Sequence, residues 1–226
     1  MKIALCLSGQ IRSFKIAFEY MNKNLLSCND VDVYFHTWSK NWDDDVLSLY
    51  KPKNFIIEDQ SCFRLKKQDY RIAGNNHPAF NTFMMYRSNM MVNTIRKSFD
   101  IKYDWIIRTR FDFALNTKID FSLLNSEKMY YCNTRSNSNY TEVNDQVVIS
   151  KNEGMDMITS IYHNIDRYHD EGCIVNGENL LQWHLFKNNS LNANVVEYID
   201  LNPPFNDGNY NYGKHSLVRT DMHLWG

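Results

Sequence analysis

From Ile3 to Leu7 every position is apolar, and the run stops at Ser8-Gly9-Gln10. That pattern predicts a strand buried on both faces and closed by a tight loop. Phe14, Ala17, Phe18, Met21, Leu25 and Leu26 then recur at the spacing of one helical face, predicting a helix over Ser13 to Leu26 with Ser13 as its N-cap. Val31 to Trp38 alternates and is rich in β-branched and aromatic residues, so it reads as a second strand. A short helix over Val46 to Tyr50 and a third strand over Asn54 to Ile57 lead into a polar stretch from Glu58 to His77. Ala79 to Phe99 lacks Gly and Pro and carries Phe83, Met84, Tyr86, Met90, Met91, Val92 and Ile95, the pattern of a long helix with a broad apolar face. Strands follow over Trp105 to Arg110, Met129 to Cys132 and Gln146 to Ser150, then helices over Gly154 to Tyr168 and Asn179 to Phe186, and a late strand over Asn194 to Ile199. The segment 133–144 reads as a loop. Strands alternating with helices predict an α/β domain whose mostly parallel central sheet is flanked by helices.

At 226 residues the chain suits one domain over 1–226, with a flexible C-terminal tail from about 203. Its 43% hydrophobic content, with 14 Tyr, 13 Phe and 5 Trp, places it among folded proteins. With 25 basic and 26 acidic residues the net charge is -1, which argues against a general nucleic-acid binder, because such proteins carry a basic excess that displaces counterions from phosphate. Phosphate chemistry would have to come from a local site. Cys6, Cys28, Cys62, Cys132 and Cys173 are odd in number and form no C-x-x-C pair, so they read as reduced structural thiols. Ser8, Gly9, Gln10 and Arg12 interrupt the first apolar run before a signal-peptide core can form, and no stretch approaches the length of a transmembrane helix. The expected location is cytoplasmic, the host cytoplasm if the chain is viral.

The most telling segment is YDWIIRTRFDF, Tyr103 to Phe113, where a strand pattern ends in Arg108, Arg110 and Asp112. Open α/β sheets bind ligands in the crevice beyond the carboxyl ends of their strands, so these residues predict an anion site with Asp112 able to hold a metal. A surface salt bridge closing a strand is the plainer alternative. Ser8, Gly9, Gln10 and Arg12 fall between a strand and a helix start, where free N–H groups and the helix dipole favour phosphate. No P-loop or G-x-G-x-x-G is present, and an ordinary tight turn fits as well. His36 closes the second strand at the same edge, as a ligand contact or as a core histidine beside Trp38. Asp145 opens a strand and Glu178 opens a helix, and either could take a proton from a hydroxyl. Glu178 is also what a helix dipole selects in a first turn without any chemistry. Asp43, Asp44 and Asp45 read as solvated surface. In the tail, His215, Arg219, Asp221 and His223 would suit a lid that supplies a metal ligand or a phosphate contact, or else a disordered terminus.

The order LCLSGQIRSF, VDVYFHTW, a helix containing MYRSN, YDWIIRTRFDF, NDQVVIS and GENLLQWHL resembles bacterial and viral glycosyltransferases of the GT-A type, including those that decorate large-virus capsids. The resemblance runs to about Phe186. It implies a Rossmann-like, GT-A-like sheet and a nucleotide-diphosphate sugar donor, with base and ribose over Ser8 to Arg12. His36, Arg87 of MYRSN, Arg108, Arg110 and Asp112 complete the implied donor site. It further implies that RTRFD stands where such enzymes carry D-x-D, whose carboxylates hold Mn²⁺ or Mg²⁺. This chain reads Asp112-Phe113-Ala114, without the second carboxylate, so an arginine could take part of that role. The implied acceptor is a hydroxyl of a surface glycan or glycoprotein, with Asp145 or Glu178 as base. A nucleotidyltransferase on a similar sheet and a non-catalytic nucleotide-sugar or glycan-binding module are the rival readings.

Overall fold

A computed structural model describes residues 1–40, 42–72, 78–132, 145–188 and 196–199. The strands are β1 (Lys2–Ser8), β2 (Asp30–Trp38), β3 (Asn54–Glu58), β4 (Trp105–Arg110), β5 (Met129–Cys132), β6 (Val147–Ser150) and β7 (Val196–Ile199). They form one sheet in the order β3-β2-β1-β4-β6-β5-β7. Strands β3, β2, β1 and β4 are parallel neighbours, and β6 runs antiparallel to both β4 and β5. Strand β7 pairs parallel with β5. The expected mostly parallel α/β sheet flanked by helices is therefore present, with one reversed strand.

The helices are α1 (Phe14–Met21), α2 (Asp45–Tyr50), α3 (Ala79–Lys97), α4 (Asn152–Thr159), α5 (Ile161–Asp170) and α6 (Gly177–Gln182). Strand alternation sorts the core into two layers. Ile3, Leu5 and Leu7 of β1 join Phe14 and Met21 of α1 and Val46 and Tyr50 of α2 on one face. Ala4 and Cys6 join Phe83, Tyr86, Val92 and Ile95 of α3, together with α4 to α6, on the other. Every residue from Ile3 to Leu7 is fully buried, as a strand covered on both sides requires.

Three expected helices are interrupted. The first stops at Met21 and continues as a π-helical turn, Asn22–Leu26, and α6 passes into a π-helix, Trp183–Asn188. Gly154 to Tyr168 divides into α4 and α5 at Ser160, whose hydroxyl donates to Met157 O at 2.7 Å while Thr159 Oγ1 donates to Met155 O at 2.9 Å. Such side-chain bonds compete with the helical ladder and bend it. Ser13 does occupy the N-cap position of α1, but with a left-handed backbone (φ 47°) and no capping bond from its side chain. Among the described residues no helix is long and apolar enough to cross a membrane. The loop 133–144 and the tail from 203 lie outside the described residues.

Candidate active site

Strand register brings the sequence motifs to one edge. Ser8 pairs with His36 on β2 and with Arg110 on β4, so the ends of three parallel strands lie side by side. Chain order reverses here, since β1 is followed by β2 on one side and β4 is added on the other. The crevice at such a switch point is where open α/β sheets place ligands.

The β1 end is knitted together from within. Gly9 has φ 103°, a left-handed conformation that favours glycine, and its N–H donates to Ser88 Oγ at 2.8 Å. Thr37 Oγ1 donates to Gly9 O at 2.8 Å. Ser8 Oγ donates to Asn89 Oδ1 at 2.8 Å and accepts from Arg108 Nε at 3.2 Å. His36, fully buried, joins its Nδ1 to Ser88 Oγ at 2.8 Å and its Nε2 to Glu58 at 3.0 Å. Burial lowers the His36 pKa against the pull of Glu58. Glu58 in turn accepts two bonds from Arg87, at 2.8 and 2.6 Å. Arg87 therefore faces the β3 side and stacks over Phe63 at 4.2 Å, away from the β1–β4 crevice. Gln10 is half-buried in the same loop.

Beyond β4, Arg110 grips Asp112 with two bonds of 2.8 Å, and Arg12 Nη2 stands 3.7 Å from Asp112 Oδ2. Burial works against the Arg110 charge, but Asp112, and behind it Asp145 and Glu178, keep its pKa above the ordinary value. Asp112 is 1% exposed, and both its oxygens face arginine. A divalent cation there would have to displace a bidentate guanidinium and sit among two positive groups, so this carboxylate does not fit a metal as folded. Among the described residues no three His, Cys, Asp or Glu side chains gather as around a metal ion, and His223 lies outside them. The acidic run Asp43 to Asp45 is at the surface, where Asp43 and Asp45 pair with Lys15.

The two candidate bases converge. Asp145 precedes β6 and Glu178 lies in the first turn of α6, yet the Asp145 carboxylate rests against Gly177, the residue next to Glu178. Arg108 Nη1 donates to Asp145 O, and Tyr86 Oη donates to Gly177 O at 2.6 Å. Among the described residues the Asp145 carboxylate takes no hydrogen bond, and Asp145 is half-buried. Arg108, 2% exposed, has its pKa lowered to about 10 by burial, with Asp145 and Tyr86 acting against that fall. The Tyr86 hydroxyl stays protonated, because burial and the nearby Asp145 both disfavour its anion.

Tyr86, Ser88, Asn89, Glu58 and Gly177 brace the candidate site and are not among the residues the sequence singles out for it. A signal existed for α3. Thr82, Tyr86, Asn89, Asn93 and Arg96 are spaced by four, three, four and three, and all five are buried. That is a buried polar stripe, which meets β1 at Asn89, α6 at Tyr86 and α4 at Asn93 and Arg96.

The glycosyltransferase GlyE of Streptococcus pneumoniae TIGR4 is similar at a TM-score of 0.49 and 12% identity, over 88% of this chain and 44% of that one. The chain thus spans less than half of that structure, and a likeness of this size assigns no activity. No curated protein matches the sequence. A family match covers residues 1–207, and on it the chain belongs to DUF7796, a domain of unknown function.

Proposed function

We propose that this chain transfers a sugar from a nucleotide-diphosphate donor to a hydroxyl of a glycan or glycoprotein acceptor. One observation carries the reading: at the strand switch point, Asp145 and the start of α6 close on the edge of β4 where Arg110 stands charged beside Asp112. In this scheme Arg12 and Arg110, about a quarter and a fifth exposed, face the diphosphate. Asp145 takes the proton of the acceptor hydroxyl as its oxygen bonds to the anomeric carbon. The bond from that carbon to phosphate breaks, and its electron pair leaves on the diphosphate, whose growing charge meets the arginines. Glu178 is the second carboxylate of the cleft and the alternative base.

The test is a panel of nucleoside diphosphates and UDP-, GDP- and TDP-sugars. Thermal shift reads binding, and release of free diphosphate reads turnover, each with EDTA and with Mn²⁺ or Mg²⁺. Ligands that bind only the folded state raise Tm. Binding of a nucleotide sugar with turnover, in EDTA or with cation, supports the reading. Binding without turnover in any arm replaces it with a nucleotide-sugar-binding module, and no binding at all removes the donor.

A further inference from the structure

A β-carbon built on Gly177 would lie 2.1 Å from Asp145 Oδ2 and 2.9 Å from Asp145 Cγ, with Met85 Cε 3.3 Å away. The first two separations are far inside van der Waals contact. Among the described glycines only Gly9 and Gly172 have positive φ, so the backbone of Gly177 does not demand glycine. The space does. Both main chains are also tethered: Tyr86 of α3 holds Gly177 O, and Arg108 of β4 holds Asp145 O. Asn176 caps α6 by accepting from Asn179 N at 2.7 Å. Neither backbone can retreat without breaking one of these bonds, whereas the Asp145 side chain can turn about its own torsions.

We infer that Gly177 is a positioning residue, whose missing side chain forms the seat of the Asp145 carboxylate and so aims it at the β4 edge. The functional half of this inference rests on Asp145 being the proton acceptor, and the seat itself does not. Gly177→Ala should swing the carboxylate aside and leave the strands and helices in place. A displacement of about 1 Å in a reacting group can cost on the order of 100-fold in rate. Donor affinity, which involves neither residue, should stay within about twofold.

The experiment is a double-mutant cycle of Gly177→Ala and Asp145→Ala on the full chain, read by thermal unfolding and independent of any activity. Gly177→Ala is expected to lower Tm by roughly 3–6 °C in the native background. With Asp145→Ala present that loss should vanish, since the collision is gone. Equal losses in both backgrounds would overturn the seat. If Gly177→Ala alone does not fold, folding of the double variant supports the seat and its failure overturns it. Transfer is then measured with the nucleotide sugar selected by the panel. A roughly 100-fold fall in kcat at unchanged donor affinity supports positioning. A coupled cycle with wild-type kcat keeps the seat and removes Asp145 from the base role.

Discussion

The two ends of the strand edge use their polar groups in opposite ways. At β1 and β2, the Gly9 N–H and carbonyl, Ser8, His36 and Glu58 are all engaged with one another, with Thr37, or with Arg87, Ser88 and Asn89. Around β4, β6 and α6, a half-buried Asp145 carboxylate meets no hydrogen-bond donor among the described residues, and its charge helps keep Arg110 protonated. Both ends looked equally suited to a ligand from their position beyond a strand. The difference is whether the fold has already satisfied the polar groups. A backbone N–H or hydroxyl already given to another protein atom offers little to a ligand, because binding would trade one good hydrogen bond for another, whereas the Arg110 guanidinium gives Asp112 only two of its five N–H groups. The β1 end is thus a braced wall, and the β4–β6–α6 end is the side proposed to carry the reaction.

The largest effect should come from Asp145→Ala, which removes the proposed base from that side. Loss of a general base typically costs about 10²–10⁴ in rate. Donor affinity should hold within about twofold, since the base meets the acceptor and not the diphosphate. Rates and affinities of Asp145→Ala and Glu178→Ala, measured side by side, decide between the carboxylates. Transfer at the wild-type rate in the Asp145 variant, with loss in the Glu178 variant, would hand the role to Glu178.

Asp112 sharpens the comparison from the structural side. A carboxylate at a strand edge would be expected to matter little for stability, yet this one is buried between Arg110 and Arg12. Asp112→Asn leaves two guanidiniums without their counter-charge and should cost about 3 kcal/mol, near the lower end of what breaking a buried ion pair costs. Urea unfolding measures it. If Asp112 acts only as this ion-pair partner, added Mn²⁺ should raise Tm no more in the wild type than in the variant. A Mn²⁺ stabilisation confined to the wild type would show that the arginines yield the carboxylate to a cation.

Much of this edge was legible in the sequence. Apolar runs ending in Ser8, His36 and Arg110 give the strands and their common edge, because period and termination are local properties. What could not be read is which polar groups face one another. Arg87 and Ser88 are neighbours in sequence, but the rotation of about 100° between consecutive helical positions sends Arg87 to Glu58 and Ser88 to Gly9. Gly177 looks like an ordinary helix-start residue until Asp145, 32 positions earlier, is brought against it. The interruption at Ser160 was similarly hidden, since Ser and Thr are tolerated in helices unless their hydroxyls turn back on the backbone.

Acid should weaken the braced wall through His36 and the packing of α4 and α5 through His184. Burial holds the His36 pKa below its ordinary 6.5, and that of His184, bonded to Tyr168 and Met157 O, to about 4. As pH falls below 6.5 the unfolded chain takes up protons that the folded chain refuses. Stability contributed by these groups is therefore present above that pH and lost on acidification. For His184 the loss reaches about 3 kcal/mol by pH 4, at roughly 1.4 kcal/mol per pKa unit. His36 adds to it with the same sign. Unfolding free energies at pH 7.5 and pH 5 should differ less in His184→Gln and His36→Gln than in the wild type. An equal difference in all three would mean that neither imidazole is held neutral.

The smallest effect separates wall from crevice at a single side chain. Arg12 follows the braced Ser8–Gly9 turn but reaches across to Asp112, at 3.7 Å and a quarter exposed, so it belongs to both ends. As a partly exposed pair, already second to the bidentate Arg110, it should contribute no more than about 0.5–1 kcal/mol to stability. Arg12→Ala should thus leave Tm nearly unchanged. Its effect on the nucleoside diphosphate selected by the panel is the informative quantity. One charge-assisted contact to phosphate is worth roughly 1.5–3 kcal/mol, a loss of tenfold or more in affinity, and Arg12→Lys should recover part of it as a point charge. Calorimetry that finds the same Kd in Arg12→Ala and wild type would confine the diphosphate to Arg110 and place Arg12 wholly in the wall.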